Sequence, residues 1–477
     1  MSASPTVIAD STTSSAMDRL AHFVTARRQA TEPVADLAAF ERELRLKVAE
    51  LEQEVIAAEL ERFDLDVPEL VVDGVAHRRV LRSHQTYLSS AGPVRVSRTL
   101  YRARGQRRAL APLELRAGIV EGFWTERAAE LGAWAVAHLV PGEAHELFER
   151  VGHMQPSRSA LDRLPKALSA RWEAKRVEFE ASCREQEQVP EEAQVMVVSL
   201  DGVQVPMQDA GGAARRQQAR QEGKHSSGPA GFREASCATV SFYDREGEQI
   251  STVRVARMPE GGKRTLKQML TAEVEAALSE RPALRLVKLA DGARDNWTYL
   301  SEQLPEGVEL VDFYHAAEHL SAALEAAYGV RSARTRSEYE RLRHALRWHR
   351  RGAGEVAGAL ARLAEAFPRR RLIAREAAYF RANRRRMRYA ECAAQGLPIG
   401  SGVVEAACKT LVAERMKRSG QRWLERGGQA ILTLRSLIQS DRFDLAWPLL
   451  ARAYRSEVKL PDKVIAFPTS PPNQASV

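Results

Sequence analysis

The segments VMVVSLDG, residues 195–202, and LRLVKLADG, residues 284–292, have the same form: an apolar run that ends in Asp-Gly. Such a run, bounded by a turn dipeptide, is typical of a strand buried on both faces of a sheet. The last residue of a buried strand lies at the sheet edge where ligands collect in α/β proteins. We therefore predict that Asp201 and Asp291 reach one edge. Because Asp-Gly is also a common turn dipeptide, either acid taken alone could be only a turn residue.

The sequence around these two runs alternates between strand and helix patterns. From residue 194 to residue 330 the order is three strands, helix, strand, helix, strand, helix. This order predicts an α/β layer with a mixed sheet and helices on both faces. The polar, glycine-rich stretch 209–231 separates the first two strands and predicts a mobile loop.

The N-terminal part of the chain has a different character. Residues 1–33 and 456–477 are predicted to be disordered. Residues 34–64 carry apolar side chains at spacings of three and four, which predicts an amphipathic helix and a candidate contact between copies of the chain. The region 65–190 begins with hairpin signals, among them Asp73-Gly74, and continues with helical patterns. These helices are compatible with a helix-turn-helix in which Ser157 caps the second helix, but any small helical bundle has the same pattern.

The positive charge of the chain is concentrated in one segment. The net charge is +9, and residues 331–390 contain 18 arginines and 5 glutamates. This predicts a surface that binds phosphates, although a solvated helical face remains an alternative. The four cysteines form no Cys-x-x-Cys pair, which favours a reducing, cytoplasmic setting. No leader pattern and no long apolar run is apparent, so we expect no contact with a membrane.

A third acid stands at the head of a late helix. The segment GSGVVEAACKTLVAERMKRSGQRW, residues 400–423, contains Glu405 near the start of an apolar helical pattern, followed by five basic residues and one further acid, Glu414. An isolated acid at this position, after two aspartates at strand ends, makes a simple turn role for all three less plausible.

These residues carry a resemblance to a known family. Asp201, Asp291 and Glu405, in this order, together with LADGARDNW (289–297), VDFYHAAEHL (311–320) and the segment 400–423, resemble the DDE transposases of bacterial insertion sequences, in the Kra-like group. The resemblance extends over about residues 71–447. It implies an α/β, RNase H-like mixed sheet with flanking helices, an all-helical insertion before the final catalytic helix, and an N-terminal helical and β DNA-binding region.

The resemblance also implies a metal site. Asp201, Asp291 and Glu405 would be catalytic residues and ligands of Mg²⁺ or Mn²⁺, with two ions about 3.5–4 Å apart in such sites. Hard divalent cations prefer oxygen ligands, which fits two aspartates and a glutamate. By resemblance, His315 of the Asp312-x-x-His315 pair would act near the scissile phosphate. The alternative is that Asp312 caps a helix and His315 is a packed side chain.

The predicted boundaries and DNA contacts follow from this assignment. The first part of the catalytic core is 191–330, the basic helical insertion is 331–395, and the final helices with the glutamate are 396–455. Residues expected to bind DNA are basic and lie in the last two segments: Lys409, Arg415, Lys417, Arg418, Arg422, Arg384, Arg385, Arg386 and Arg388.

The implied function is transposition. The protein is expected to bind the terminal inverted repeats of its element as a homo-oligomer, and to cut and join double-stranded DNA without a nucleotide cofactor, at the bacterial nucleoid. Two alternatives remain: an inactive, transposase-derived DNA-binding regulator, and an RNase H-like nuclease without strand transfer.

Overall fold

The computed structural model describes residues 15–152, 154–208, 212–223 and 231–461. The chain divides into two compact units. The first comprises Met1–Ala167 and Trp447–Val477, and the second comprises Leu168–Ala446. Within the described ranges, no helix is long and apolar enough to cross a membrane.

The first unit contains a meander of antiparallel strands with helices before and after it. Its elements are α1 (Ala16–Gln29), α2 (Leu37–Arg62), β1 (Glu69–Val72), β2 (Val75–Ser89), β3 (Gly92–Ala103), α3 (Pro112–Ala117), α4 (Glu126–His138), α5 (Pro141–Val151) and the start of α6 (Arg158–Ala174). The turn between β1 and β2 has positive φ at Asp73 (50°) and Gly74 (76°). Positive φ at both central residues is the type I′ geometry that Asp-Gly favours in a two-residue hairpin.

The prediction of disorder for residues 1–33 is corrected by α1. Ser15 and Asp18 form a reciprocal capping box at its start, and Phe23 stacks on Phe40 of α2 at 5.7 Å between ring centroids. These contacts give a short helix a stable end and a packing partner. Residues 1–14 lie outside the described residues.

The helix predicted for residues 34–64 is α2, which Asp36 caps at Ala39 N. Leu60 of α2 is buried against Tyr87, Val94 and Val96 of the sheet. The C-terminal part of its apolar face is therefore used within the unit, and a role between copies of the chain stays a prediction.

The helices proposed as a helix-turn-helix are α5 and α6. Ser157 Oγ accepts a hydrogen bond from Ala160 N at 3.2 Å, as a capping residue does. The connection 152–157 is longer than the three or four residues of a typical helix-turn-helix. A DNA-reading role for this region stays a prediction.

The second unit contains a five-stranded sheet and most of the helices. Its elements are α7 (Arg176–Gln186), β4 (Val195–Pro206), α8 (Gly212–Gln221), β5 (Phe232–Tyr243), β6 (Gln249–Arg257), α9 (Arg264–Glu280), β7 (Arg285–Ala290), α10 (Arg294–Glu302), β8 (Val308–Val311), α11 (Phe313–Tyr328), α12 (Ala333–Trp348), α13 (Gly352–Ala366), α14 (Arg371–Asn383), α15 (Tyr389–Ala393), α16 (Gly402–Ala407), α17 (Glu414–Met416) and α18 (Glu425–Gln439). Helix α8 lies within the stretch 209–231 that was predicted to be a loop.

The chain then returns to the first unit through α19 (Phe443–Arg452) and β9 (Val458–Lys459). Strand β9 pairs with β1 and completes the sheet order β3-β2-β1-β9. The prediction of a disordered tail from residue 456 is therefore corrected for these two residues, because backbone pairing with a sheet edge orders them. Residues 462–477 lie outside the described part of the chain.

The sheet of the second unit has the order β6-β5-β4-β7-β8. Strand β4 is antiparallel to β5 and parallel to β7, β5 is antiparallel to β6, and β7 is parallel to β8. The first six residues of the central strand β4 are all buried. The predicted mixed sheet and its order of elements are confirmed.

The segment 331–395 is helical, as predicted, but it shares its core with the sheet. Val198 of β4, Val287 of β7, Leu320 of α11, Val356 of α13 and Phe380 of α14 belong to one buried cluster. Removal of these helices would therefore expose apolar surface of the sheet layer.

Several arginines of this segment pack against the protein itself. The Arg334 guanidinium lies 4.2 Å from the centroid of the Tyr328 ring, and Arg347 lies over Phe313 at 5.7 Å. Arg370 donates a hydrogen bond to the carbonyl of Ala326. All three partners belong to α11, so part of the arginine excess stabilises the contact between α11 and the segment.

Glu180 of α7 is a buried acid in the second unit. Its side chain is 8% exposed, and among the described residues its Oε1 has no hydrogen-bond partner. Burial raises its pKa from 4.5 to about 7, and the nearby Glu273 and Glu173 carboxylates add to the rise, against Arg176 and Arg184. The folded state therefore binds a proton on Glu180 more tightly than the unfolded chain does.

We expect Glu180→Gln to change the pH dependence of stability. A raised carboxyl pKa contributes stability that is present below pH 4.5 and is lost as the pH rises to about 7. The loss is about 3 kcal/mol for a shift of this size. Glu180→Gln should match the wild type near pH 4.5 and exceed its free energy of unfolding by up to about 3 kcal/mol at pH 8.

Denaturant unfolding at both pH values measures this difference. Glu178→Gln, which changes an exposed acid on the same helix, is the control and should follow the wild type at both pH values. An equal pH dependence in the wild type and Glu180→Gln would contradict the expectation.

Candidate active site

Asp201 and Asp291 are brought together by the parallel pairing of β4 and β7. The paired residues run from Val195↔Arg285 to Val198↔Lys288. Asp201 and Asp291 each lie three residues after the last of these pairs, and Asp291 directly follows the end of β7. The charge of Asp291 acts on Asp201, so the two carboxylates lie at one edge of the sheet.

The sequence predicts that Asp201 ends its strand. In the structure Asp201 lies within β4 instead. Beyond residue 198, β4 continues to Pro206 as a partner of β5 alone, with Asp201 opposite Cys237. The long hairpin with β5 extends the strand past its last contact with β7. Asp201 therefore lies where β4 keeps one neighbour and loses the other.

The Asp201 carboxylate is half-buried and is held on both oxygens. Oδ1 accepts a hydrogen bond from Gly202 N at 2.7 Å, and Oδ2 accepts one from the Cys408 thiol at 3.8 Å. Burial raises the pKa of Asp201, and the negative charge of Asp291 raises it further. The Gly202 N–H, the ammonium group of Lys263 and the Cys408 thiol act in the opposite direction.

The turn after β7 orients Asp291. Its Oδ1 accepts hydrogen bonds from Ala293 N at 3.1 Å and from Asn296 Nδ2 at 3.0 Å, and its carbonyl accepts one from Trp297 Nε1 at 2.6 Å. Gly292 is needed here because a Cβ at this position would lie 2.2 Å from Cε2 of Tyr379. The acid is thus fixed by its own helix and by close packing of the turn.

Glu405 lies in the first turn of a helix whose next turn contacts Asp201. The Ser401 hydroxyl donates to Glu405 Oε1 at 3.0 Å, and Cys408, three residues after Glu405, donates to Asp201. The Glu405 side chain is exposed. Within the described ranges, no group of three or more His, Cys, Asp or Glu side chains is gathered closely enough to hold a metal ion.

The helix that carries Glu405 contains a π-helical turn at residues 408–413, between α16 and α17. A π turn removes backbone carbonyls from the regular hydrogen-bond pattern. Buried Arg435 of α18 compensates, because it donates to the carbonyl of Leu411 from Nε at 2.9 Å and also to the carbonyl of Thr410. Such turns are frequent at functional sites.

Asp312 connects the Glu405 helix to the sheet. Its side chain is 1% exposed, and its Oδ1 accepts from His315 N at 2.5 Å, which caps α11. Its Oδ2 accepts from Ser401 N, and Phe313 N donates to the carbonyl of Ile399 at 3.0 Å. Asp312 therefore caps α11, and the role of His315 stays a prediction. The same carboxylate also fixes the residue that precedes α16.

His315 belongs to a chain of polar side chains that the sequence did not reveal. His319 Nδ1 lies 2.5 Å from Oε2 of Glu376, and His319 Nε2 lies 3.2 Å from Nε2 of His315. Because a carboxylate only accepts hydrogen bonds, the contact with Glu376 requires a proton on Nδ1 of His319. One proton lies between the facing Nε2 atoms of His319 and His315. The ring of Tyr379, which packs on Gly292, stacks on His319 at 3.8 Å.

The position of Glu376 in the helical pattern is the sequence signal for these linked polar side chains. Glu376 occupies an apolar-face position of α14 together with Ile373, Ala377 and Phe380, and it is 1% exposed. An acid on the apolar face of a helix usually has a specific partner. Glu376 has two such partners: His319 at Oε2 and Arg375 at Oε1.

The predicted DNA-binding residues differ in exposure. Most are exposed: Lys409, Lys417, Arg422, Arg384, Arg385 and Arg388. Arg418 is half-exposed. These seven stay predicted DNA contacts.

Arg386 and Arg415 are placed differently from the prediction. Arg386 forms an ion pair with Glu309 at 2.7 Å and lies over the Trp297 ring at 4.3 Å. Arg415 is 3% exposed, with its guanidinium over the Trp423 ring at 5.2 Å. The turn after α17 returns Trp423 onto Arg415 and encloses it, so in this conformation Arg415 is not available to a DNA phosphate.

The donor atoms at this edge fit a hard divalent cation. Asp201 and Asp291 provide carboxylate oxygens and repel one another, and the raised pKa of Asp201 reflects burial first and this repulsion second. A bound cation would neutralise both charges. Glu405 is the further carboxylate of this region.

Comparison with protein-family models gives no match for this chain, and comparison with curated proteins gives none either.

We expect Asp312→Ala to loosen the start of the Glu405 helix. Loss of a buried acceptor of two backbone N–H groups should lower the free energy of unfolding by about 3 kcal/mol. Amide hydrogen exchange at residues 401–405 should accelerate, because Ser401 N loses its partner. Denaturant unfolding and exchange mass spectrometry measure the two effects.

Ser332→Ala is the control, because it removes the side-chain cap of α12 in the same unit. It should cost about 1 kcal/mol and leave exchange at residues 401–405 unchanged. Unchanged exchange at these residues in Asp312→Ala would show that Asp312 does not hold the helix.

Proposed function

We propose that the protein is a transposase of the DDE type, similar to the Kra-like group of bacterial insertion sequences. It binds the terminal inverted repeats of its own element and catalyses metal-dependent cleavage of DNA and transfer of the cut strand. The observation that carries this proposal is the common edge of Asp201 and Asp291, with the Glu405 helix in contact with Asp201.

The strand order supports an RNase H-like catalytic core. Three antiparallel strands are followed by two parallel ones, with the first strand of the chain segment at the centre of the sheet. In that arrangement one acid lies on the central strand and the next follows the adjacent parallel strand. Asp201 and Asp291 have these positions.

The proposed cofactor is Mg²⁺ or Mn²⁺, held by Asp201 and Asp291 with Glu405 as the third carboxylate. When bound, two such ions activate the attacking oxygen and stabilise the leaving oxygen of a phosphodiester. The hydrogen bonds that Asp291 receives from Ala293 and Asn296 fix the direction of its carboxylate. Asp312 and Ser401 serve the same purpose for Glu405.

His315 is proposed to handle a proton beside this site. Its Nε2 faces His319, whose other nitrogen is held by buried Glu376. A neutral His319 accepts the Nε2 proton of His315 and leaves Nδ1 of His315 able to accept a proton. Glu376 thereby selects the form in which His315 is a base.

Double-stranded DNA is the proposed partner. The exposed Arg384, Arg385 and Arg388 follow α14, and the exposed Lys409, Lys417 and Arg422 follow Glu405. Arginine and lysine side chains bind backbone phosphates without regard to sequence and thus position the duplex. Because two element ends must be brought together, we propose that at least two copies of the chain act on them.

A DNA-binding regulator without catalysis is the second candidate. The observation in its favour is that the described residues contain no gathered set of three metal-ligating side chains. Catalysis by this protein therefore requires Glu405 to approach the two aspartates when metal and DNA bind.

We expect Asp201→Asn to abolish cleavage and to leave DNA binding intact. An amide in place of the carboxylate removes one negative ligand, whereas the phosphate contacts remain, so the dissociation constant should stay within about threefold of the wild type. The substrate is a short DNA duplex that carries the inverted repeats of the element, with Mg²⁺. Gel analysis of cut and joined strands gives the activity.

Asp295→Asn is the matched control, because Asp295 is exposed and lies four residues after Asp291. It should cleave as the wild type does. Joined products from the wild type support a transposase, cleavage alone indicates a nuclease, and binding alone indicates the regulator. Normal cleavage by Asp201→Asn would refute the assignment of the site.

A further inference from the structure

A lysine that the proposed mechanism does not use lies beside the two aspartates. Lys263 ends the turn Gly261–Lys263 and precedes α9. Its backbone has φ 53°, in the left-handed region, and Gly262 before it has φ 66°. A residue with a side chain adopts this conformation at a cost in energy, and such strain persists where surrounding contacts hold it.

Two contacts hold the ammonium group of Lys263. Its Nζ lies 2.9 Å from Oε1 of Glu234 and donates to Oδ1 of Asn296 at 3.3 Å. Glu234 is on β5, and its side chain fills the space beside Gly202, where a Cβ would lie 2.4 Å from Cδ of Glu234. A side chain at residue 202 would therefore have to displace Glu234, the partner of Lys263.

Asn296 connects Lys263 to Asp291. Its side chain is 3% exposed, with Oδ1 toward Lys263 and Nδ2 bonded to Asp291 Oδ1 at 3.0 Å. The amide can serve both partners only in this orientation, because the ammonium group only donates and the carboxylate accepts. Lys263 is thus set at a fixed position relative to Asp291 without a hydrogen bond to it.

Lys263 can exchange its ion-pair partner Glu234 for another anion. Glu234 is 44% exposed on its side chain, and ion pairs at such exposure add little to stability. Lys263 is 22% exposed on its side chain, and its charge acts on Asp201, so it lies close to the edge that carries the two acids without being fully enclosed. A second anion that arrives at Asp201 and Asp291 can take the place of Glu234 at low cost.

We propose that Lys263 is a further substrate-contacting residue of this site, and that its ammonium group binds a non-bridging oxygen of the DNA phosphate that reacts at Asp201 and Asp291. Asn296 is the positioning residue that keeps Lys263 and Asp291 in register. This inference rests on the proposed function. A lysine next to a phosphate under attack stabilises the negative charge that develops on its oxygens.

The test compares Lys263→Met with Lys263→Arg in single-turnover cleavage of a duplex with the element's own end, at saturating protein and Mg²⁺. Loss of one such donor should slow cleavage about 100-fold in Lys263→Met. Lys263→Arg, which keeps the charge, should stay within about tenfold of the wild type. The dissociation constant for the duplex should change by less than about threefold in both, because one phosphate contact among many is lost.

Lys267→Met is the matched control. Lys267 lies one turn further along the same helix, with its Nζ 5.5 Å from the Tyr299 ring, and its loss removes the same charge away from the acids. It should cleave at the wild-type rate. Melting temperatures of all variants check the fold.

A readout without mutation covers the case in which Lys263→Met does not fold. Sulfur replaces either non-bridging oxygen of the scissile phosphate in the substrate of the wild-type protein. Sulfur at the oxygen bound by Lys263 should slow cleavage in a way that Mn²⁺ does not relieve, because a lysine contact, unlike a metal contact, is not restored by a softer ion.

The outcomes separate this inference from the proposed function. A wild-type protein that does not cleave element ends overturns both. A wild-type protein that cleaves, together with a folded Lys263→Met that cleaves equally fast, overturns only the role of Lys263. The role of Lys263 is also overturned if Lys263→Arg or Lys267→Met cleaves as slowly as Lys263→Met. It is overturned as well if Mn²⁺ relieves the effect of sulfur at both non-bridging oxygens.

Discussion

The parallel pairing of β4 with β7 is the constraint on which the second unit depends. It joins strands that are 90 positions apart in the chain. The same pairing aligns the buried core residues of both strands and places Asp201 and Asp291 at the edge that follows them, here called the acid edge. The six residues of β4 before Asp201 are all buried, so a slip of the register that moved Asp201 inward would place its carboxylate among buried side chains. The position of Asp201 relative to Asp291 is therefore stabilised by hydrophobic burial rather than by attraction between them. Two carboxylates that repel each other are kept close by the fold, as the proposed cation site requires.

The remaining parts of the site are attached to this edge by a small number of buried polar contacts. Asp312 follows β8 and holds both the first turn of α11 and the residue before α16. Asn296 links Asp291 to Lys263, and Glu376 orients His319 toward His315. Asp312, Asn296 and Glu376 are each less than a tenth exposed. Their buried side chains give the polar groups bonded to them a defined direction. The helices of residues 331–395 belong to the same buried cluster as the strands, and they carry both Glu376 and the exposed arginines next to the sheet.

The sequence was informative where a single local pattern determines the structure. The apolar runs before Asp201 and Asp291 predicted strands, and the Asp73-Gly74 pair predicted a hairpin, because periodicity and turn chemistry are local properties. It was uninformative where a partner comes from far along the chain. Glu376 is 57 residues from His319, and Glu234 is 29 residues before Lys263, and neither distance has a signature in the sequence. Arg415 lies in a basic run and was therefore predicted to contact DNA. Its burial comes from Trp423, which a later turn brings back over it, and the local sequence does not indicate that turn. Helix α1 was missed because its stability comes from its cap and from Phe40 rather than from its own composition.

The central claim is that Asp201, Asp291 and Glu405 form one cation site when the protein binds its DNA. The most direct measurement is anomalous X-ray scattering from crystals of the protein grown with a DNA end and Mn²⁺. The account predicts manganese at the edge shared by β4 and β7, bound by oxygens of Asp201 and Asp291, with Glu405 moved into contact with it. Manganese bound elsewhere, or an acid edge without manganese while DNA is bound, would contradict it.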